Sequence, residues 1–348
     1  MLWTLKTNNL IISPGRIGLT VFSLGAGQDS EYGFFQIWDK DFQAKYIKNN
    51  NLIIVFSHTG QEKERPPNYT SEYLFTYEGL KYLQDYFDQH VYELPFKAYF
   101  FVLTHPTTAP KLDKYGIRSI THYYSDLQLF NDSWASIDTN YKKNSTIGML
   151  HSKSRACTLN LKIMPIYRFL DCFIAYHYGF TEDKKRNIIK FAKYHRKIKM
   201  LVFFSAEEKS RKHKCSNKCN ICPKYKRYGV SMQYPLIDYN LNRQAIQLLI
   251  KGIDHPLFIP SACPICHFQT DLQIEFWRRF DLRPLIQMID LEQAKFHKFR
   301  DREVNKGIFG NITVLQKMQK ACDKYKYMSD QELKEQILSF SHCIKNSY

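Results

Sequence analysis

Apolar and polar positions along the 348-residue chain change period several times, and each change predicts an element. Residues 19–24 (LTVFSL) form a short apolar run that stops at glycines, as a buried strand does. Residues 28–45 follow with a helical pattern that Gly33 weakens. The run 52–57 (LIIVFS) is β-branched and apolar, which reads as a parallel strand covered on both faces. The polar turn HTGQEKERPP comes next. Leu80, Leu83 and Phe87 then space as one helix face within 76–90. Residues 97–104 (KAYFFVLT) read as a third strand. Strands alternating with helices predict right-handed crossovers and a parallel sheet.

Residues 105–154 are rich in Pro, Thr, Asp, Asn and Ser and keep no period. They are expected to form a surface excursion or a substrate lid. Residues 159–178 read as a mostly buried helix. Thr181 is expected to cap the next one, with Glu182 and Asp183 in its first turn. Residues 199–205 (KMLVFFS) read as another buried strand. Helices are predicted at 240–251, 271–280, 284–300, 311–326 and 329–343, the last opened by a Ser329–Glu332 capping box. The expected fold is α/β: a Rossmann-like, twisted parallel sheet with helices on both faces. A Cys-rich metal-binding insertion and a helical C-terminal region are added to it.

Composition adds three points. A 44% apolar content supports a sizeable core. No run of apolar residues is long enough for a transmembrane helix, and MLWTLKTNNLIISPG lacks the layout of a secretory signal. The expected location is therefore cytoplasmic, with no membrane partner. The formal net charge is +17, and it is concentrated: 184–227 carries sixteen Lys or Arg against Glu207 and Glu208. Such a segment attracts a polyanion, DNA or tRNA, unless it is only a solvated face.

The first strand runs into Gly25-Ala26-Gly27-Gln28-Asp29-Ser30. A strand, a glycine turn and a helix start can cradle a phosphate with backbone N–H groups. No Lys-Ser or Lys-Thr follows, so this is no P-loop NTPase, and it is no GxGxxG fingerprint. The same glycines could instead only relieve backbone strain.

Nine cysteines are present, and five cluster as Cys215-x3-Cys219-x2-Cys222 and Cys263-x2-Cys266. Four thiolates from two such units suit one tetrahedral centre, either zinc or an iron–sulfur cluster, with His213 and His267 as substitute donors. The triplet also has the spacing of radical SAM enzymes, but too little chain follows it for most of a barrel. Cys172 and Cys322 read as structural.

The order of motifs resembles the PP-loop ATP pyrophosphatases, closest to the phosphoadenosine-phosphosulfate reductases and their phage and plasmid relatives. Residues 25–30 resemble the S-G-G-x-D-S loop. Ser57-His58-Thr59-Gly60-Gln61-Glu62 resembles a strand end followed by D-T-G-x-E. Arg155-Ala156-Cys157-Thr158 with Lys162 and Pro165 resembles R-x-C-T-x3-K-x2-P. Ser205 with Glu208 and Arg211 resembles G-I-S-x-x-E-x-x-R, and Tyr234-Pro235-Leu236 with Arg243 resembles Y-P-L followed by a helix with Arg. Ser261-Ala262-Cys263-Pro264-Ile265-Cys266 with Phe268, then Trp277, Pro284 and Glu292, resembles S-x-C-x-x-C-P-F and its downstream helices. The chain departs from these motifs in four places: Gly25 replaces Ser, Ala26 replaces Gly, His58 replaces Asp, and the Phe203–Phe204 region replaces the Gly before the Ile-Ser segment.

The resemblance implies an enzyme that binds ATP, or the sulfonucleotides PAPS or APS, with Mg²⁺. It would adenylate a substrate with release of pyrophosphate, in sulfur transfer or nucleic-acid modification, with a sulfur donor protein as a further partner. Ser23, Gly25, Ala26, Gly27, Gln28, Asp29, Ser30, His58, Thr59 and Gly60 would hold the nucleotide. Asp29, Arg155, Lys162 and Arg211 would act on its phosphates. Cys157, Cys263 and Cys266 would carry a 4Fe–4S cluster, completed from Cys215, Cys219 or Cys222, with zinc as the other candidate. Residues 1–210 would be the nucleotide domain, 211–270 the Cys-rich segment and 271–348 the helical region. Two rivals remain: a sulfonucleotide reductase using Cys343, and a catalytically inactive nucleotide- or nucleic-acid-binding module of a conflict system.

Overall fold

The computed structural model describes residues 18–67, 69–121, 136–144, 157–180, 187–212, 224–261, 263–300 and 307–339. Six strands form one parallel sheet: β1 (Gly18–Leu24), β2 (Asn50–Ser57), β3 (Ala98–Thr104), β4 (Ile120–Thr121), β5 (Ile198–Val202) and β6 (Val230–Gln233). Their order is β4-β3-β2-β1-β5-β6. The chain walks outward from β1 to β4, returns, and continues outward on the other side. This is the doubly wound, Rossmann-like arrangement.

The helices are α1 (Gln28–Phe35), α2 (Lys40–Phe42), α3 (Thr76–His90), α4 (Ala109–Asp113), α5 (Ile137–Asn144), α6 (Met164–His177) and α7 (Asn187–Tyr194). They continue with α8 (Lys224–Gly229), α9 (Pro235–Asp238), α10 (Arg243–Gly252), α11 (Asp271–Phe280), α12 (Arg283–Lys298), α13 (Val314–Lys324) and α14 (Asp330–Ser339). Strand alternation decides which side each residue serves. Phe22, Ile54, Phe56 and Val102 face one layer, with Leu80, Leu83, Ile246 and Ile250 from α3 and α10. Val21, Ile53, Val55 and Leu103 face the other, with Phe169, Leu170, Phe173 and Phe191 from α6 and α7. Each such side chain contributes about 1.5–3 kcal/mol when fully buried. A third core joins α11 to α14 around Trp277, Leu285, Met288 and Leu333.

Several expectations change. β4 and β6 are strands the pattern did not predict, because two and four residues are too short to show a period. β6 lies within 211–270, so the sheet is not confined to 1–210. The predicted 28–45 helix breaks into α1, a 3₁₀ turn at Gln36–Trp38, α2 and a π turn at Gln43–Ile47. Gly33 is where the Phe203 ring packs against α1; a Cβ there would fall 2.2 Å from that ring. The strand predicted over 199–205 stops at Val202. The helix predicted over 159–178 begins as a π turn, Thr158–Ile163. The HTGQEK stretch is buried and not a solvated turn, because Lys111 Nζ donates to Gly60 O (3.0 Å) and Ile137 N–H to Thr59 O (3.2 Å). The described parts of 105–154 therefore pack against the core. Thr181, Glu182 and Asp183 lie outside the described residues.

Candidate functional site

β1 and β5 are neighbours whose following segments leave in different directions, which opens a crevice beyond their carboxyl ends. A cavity of about 490 Å³ sits there, within the range for nucleotide-sized ligands. Ser23, Gly25, Gly27, Gln28, Asp29 and Ser30 border it from β1, the glycine turn and α1, and Val202, Phe203 and Phe204 from the end of β5 and the segment after it. Ala26 adopts φ 49°, a left-handed conformation that costs a non-glycine residue about 1–2 kcal/mol. It stands where the resembling loop has Gly. Its side chain is buried and does not reach the cavity. Ser30 holds the turn shut: Gly27 N–H donates to its Oγ (3.2 Å), and that hydroxyl donates to Gly27 O (2.9 Å). The Gln28 amide is turned away, donating to Phe258 O (2.8 Å) and accepting from Gln247 (3.0 Å).

Cations outnumber carboxylates around the cavity: Lys162, Arg211, Lys226 and Arg243 against Asp29 and Glu208. That balance favours an anionic ligand. Asp29 is buried, and its Oδ2 accepts from Arg243 Nη2 (2.9 Å) and from Ser205 N–H (3.3 Å). Burial pushes its carboxyl up to about 6; Arg243 pulls against this, and Glu208 adds to it. Glu208, also buried, accepts from Arg211 Nη1 (2.8 Å), whose guanidinium lies 4.1 Å from the Phe204 ring centre. Phe204 in turn stacks on Tyr234.

At the end of β2, Thr59 borders the cavity, whereas His58 and Gly60 do not. His58 Nε2 shares a hydrogen bond with Tyr77 OH (2.9 Å), and burial pulls its imidazole down to about 4. Glu62 accepts from Thr59 Oγ1 (2.8 Å). Burial alone would raise its carboxyl, but Lys162, His58 and the Thr59 donors hold it below the usual range.

Cys157, Cys263 and Cys266 all border the same cavity. Cys266 N–H donates to Cys263 O (3.0 Å), so the pair spans one turn. Burial holds the Cys263 thiol well above its ordinary range, and Cys266 adds to this. The turn is placed by buried polar groups: Phe258 N–H donates to Glu31 Oε2 (3.1 Å), and Lys63 Nζ donates to Pro260 O (2.9 Å). Gly27 completes the contact, since a Cβ there would fall 2.7 Å from Ser261 Oγ. Among the described residues, no three His, Cys, Asp or Glu side chains are arranged to hold a metal ion. The three thiols share a wall without forming a metal site by themselves. Cys215, Cys219 and Cys222, and also Arg155, lie outside the described residues.

The basic segment is divided. Arg211 and Lys226 reach the cavity. Lys193, Arg196 and Lys197 precede β5 and so lie toward the opposite end of the sheet. No protein-family model, curated protein or solved structure matches the chain. Glu62, Ser205 and Arg243 stand inside the matched motifs without an expected site role, and Lys63 stands outside them. Arg243 was within reach, because it follows Tyr234-Pro235-Leu236 on a helix. Lys63 carried no signal, because a lysine in a polar stretch looks solvated.

Proposed function

We propose that the protein is a PP-loop adenosine-nucleotide enzyme, which adenylates a substrate and releases pyrophosphate in sulfur transfer or nucleic-acid modification. The observation that supports this most is the glycine turn after β1, opening onto a cavity bordered by Lys162, Arg211, Lys226 and Arg243. Backbone N–H groups of the turn would take phosphate oxygens, and the cations would offset their charge. The apolar wall at Ile163, Ile166, Met200 and Met232 suits the uncharged part of a nucleotide. Mg²⁺, which binds through few carboxylates plus substrate phosphates, would neutralise charge on the leaving pyrophosphate. Cys157, Cys263 and Cys266, with a thiolate from 215, 219 or 222, would hold an iron–sulfur cluster or zinc; a cluster would supply electron transfer. Pyrophosphate release from ATP is expected, and its loss in Asp29→Ala tests the reading. Its absence with every nucleic acid and sulfur donor tried sinks it.

The three thiols on the cavity wall favour a second reading, a sulfonucleotide reductase. Sulfite release from PAPS or APS, lost in Cys343→Ser, would select it.

A further inference from the structure

The two carboxylates of the cavity are each covered by an arginine. Arg243 Nη2 sits 2.9 Å from Asp29 Oδ2, and Arg211 Nη1 sits 2.8 Å from Glu208 Oε1. Both pairs border the same cavity. Three polar atoms at this point are buried with no partner: Asp29 Oδ1, Ser205 Oγ and Arg243 Nε. They belong to residues joined at one carboxylate oxygen, since Ser205 N–H and Arg243 both donate to Asp29 Oδ2. Burying a polar atom without a partner is unfavourable, so three in one cluster point to a group that completes them.

The unmet valences have complementary signs. Arg243 Nε and Ser205 Oγ can donate to an anion's oxygens, while Asp29 Oδ1 can only accept or bind a cation. A lone phosphate would leave Asp29 Oδ1 without a partner, and a lone cation would leave Arg243 Nε without an acceptor. A polyphosphate chelating a divalent cation satisfies both sets together.

We propose that Arg243 is a latch that closes on Asp29 in the free protein and is drawn off by the phosphates of a metal-chelated polyphosphate, freeing Asp29 for the cation. This deepens the proposed function and rests on its placing of phosphate at the β1 turn. The ligand exchanges one charge partner for another on each side. Selectivity follows: metal-free polyphosphate must break the latch without repayment at Asp29.

Calorimetric titration with inorganic pyrophosphate, with and without Mg²⁺, tests this without relying on adenosine. The wild type should bind the Mg²⁺ complex at least about 10-fold tighter than pyrophosphate alone. Arg243→Met should weaken binding of the complex by about 10- to 100-fold, the range for losing one charge-assisted contact. Arg243→Lys should recover only part, because it keeps the charge without the fork. Asp29→Asn is the decisive variant. It should abolish the Mg²⁺ enhancement and bind metal-free pyrophosphate more tightly than the wild type, since Arg243 is released. Thermal melts establish that each variant is folded; if Arg243→Met is not, Arg243→Lys and Asp29→Asn carry the test. Equal Mg²⁺ enhancement in Asp29→Asn, or unchanged affinity in both Arg243 variants, overturns the latch. ATP binding in the wild type with no dependence on either residue leaves the nucleotide reading standing and the latch refuted. Pyrophosphate binding as described with no ATP binding does the reverse, and binding of neither refutes both.

Discussion

Arg243 and Asp29 are 214 residues apart in the chain and 2.9 Å apart in the fold, both largely buried. The pair does not fully offset the cost of burying the Asp29 carboxylate, which titrates near 6 instead of 3.8. A carboxyl raised on folding binds its proton more tightly in the native state. Its contribution is therefore fully present below pH 3.8 and is lost as pH rises through about 6. The loss is at most about 3 kcal/mol. Asp29→Asn should remove this fall, so urea-unfolding midpoints measured between pH 4 and 6 should decline less with pH than in the wild type. An unchanged slope would show that Asp29 is ordinary in the native state.

His58 acts with the opposite sign. Its imidazole is held down to about 4, so its contribution is present above 6.5 and is lost as pH falls toward 4. The size is again up to about 3 kcal/mol. His58→Gln should flatten the acid side of the stability profile between pH 6.5 and 4, read by thermal melts. An acid-side slope as steep as the wild type's would place the imidazole in contact with water.

Gly27→Ala tests the close approach of the two loops. The added methyl meets Ser261 Oγ at 2.7 Å and Ser261 N at 3.1 Å. Either Ser261 moves or α1 does, at a cost of about 1–3 kcal/mol. Stability should fall by that amount, and Cys263 and Cys266 should react faster with a thiol reagent, because their turn loosens. Faster reaction without destabilisation would contradict the packing account.

The thiol wall predicts metal content. Anaerobically purified protein should contain iron with a broad visible absorption, or zinc without one. Cys263→Ser should lose most of that metal, while Cys322→Ser should keep it. Full metal content in Cys263→Ser would place the centre elsewhere.

The elements with strong periods were legible from the spacing of apolar residues alone. The strand at 52–57 and the helix at 76–90 appear as β2 and α3, with the helix bounds unchanged. The Ser329–Glu332 capping box is also present, Glu332 accepting from both Ser329 N–H (2.7 Å) and Oγ (2.8 Å). β4 and β6 were not legible, because short strands are recruited by neighbours and not by their own pattern. At the site, the glycine turn and the cysteine spacing were readable as local chemistry. The pairing of Arg243 with Asp29 was not, and neither was the burial of Lys63 against Pro260 O.

By itself, the sequence determined the α/β alternation, the glycine turn after the first strand, the basic bias and the clustered thiols. All of these are properties of spacing along the chain. Only the tertiary structure decided that α10 brings Arg243 onto Asp29, that the Cys263 turn packs on Gly27, and that the basic segment divides between the two ends of the sheet. Those relationships follow from strand order and from which polar groups become buried together. Charge and burial are set by neighbours in space, and neighbours in space are what a local pattern does not encode.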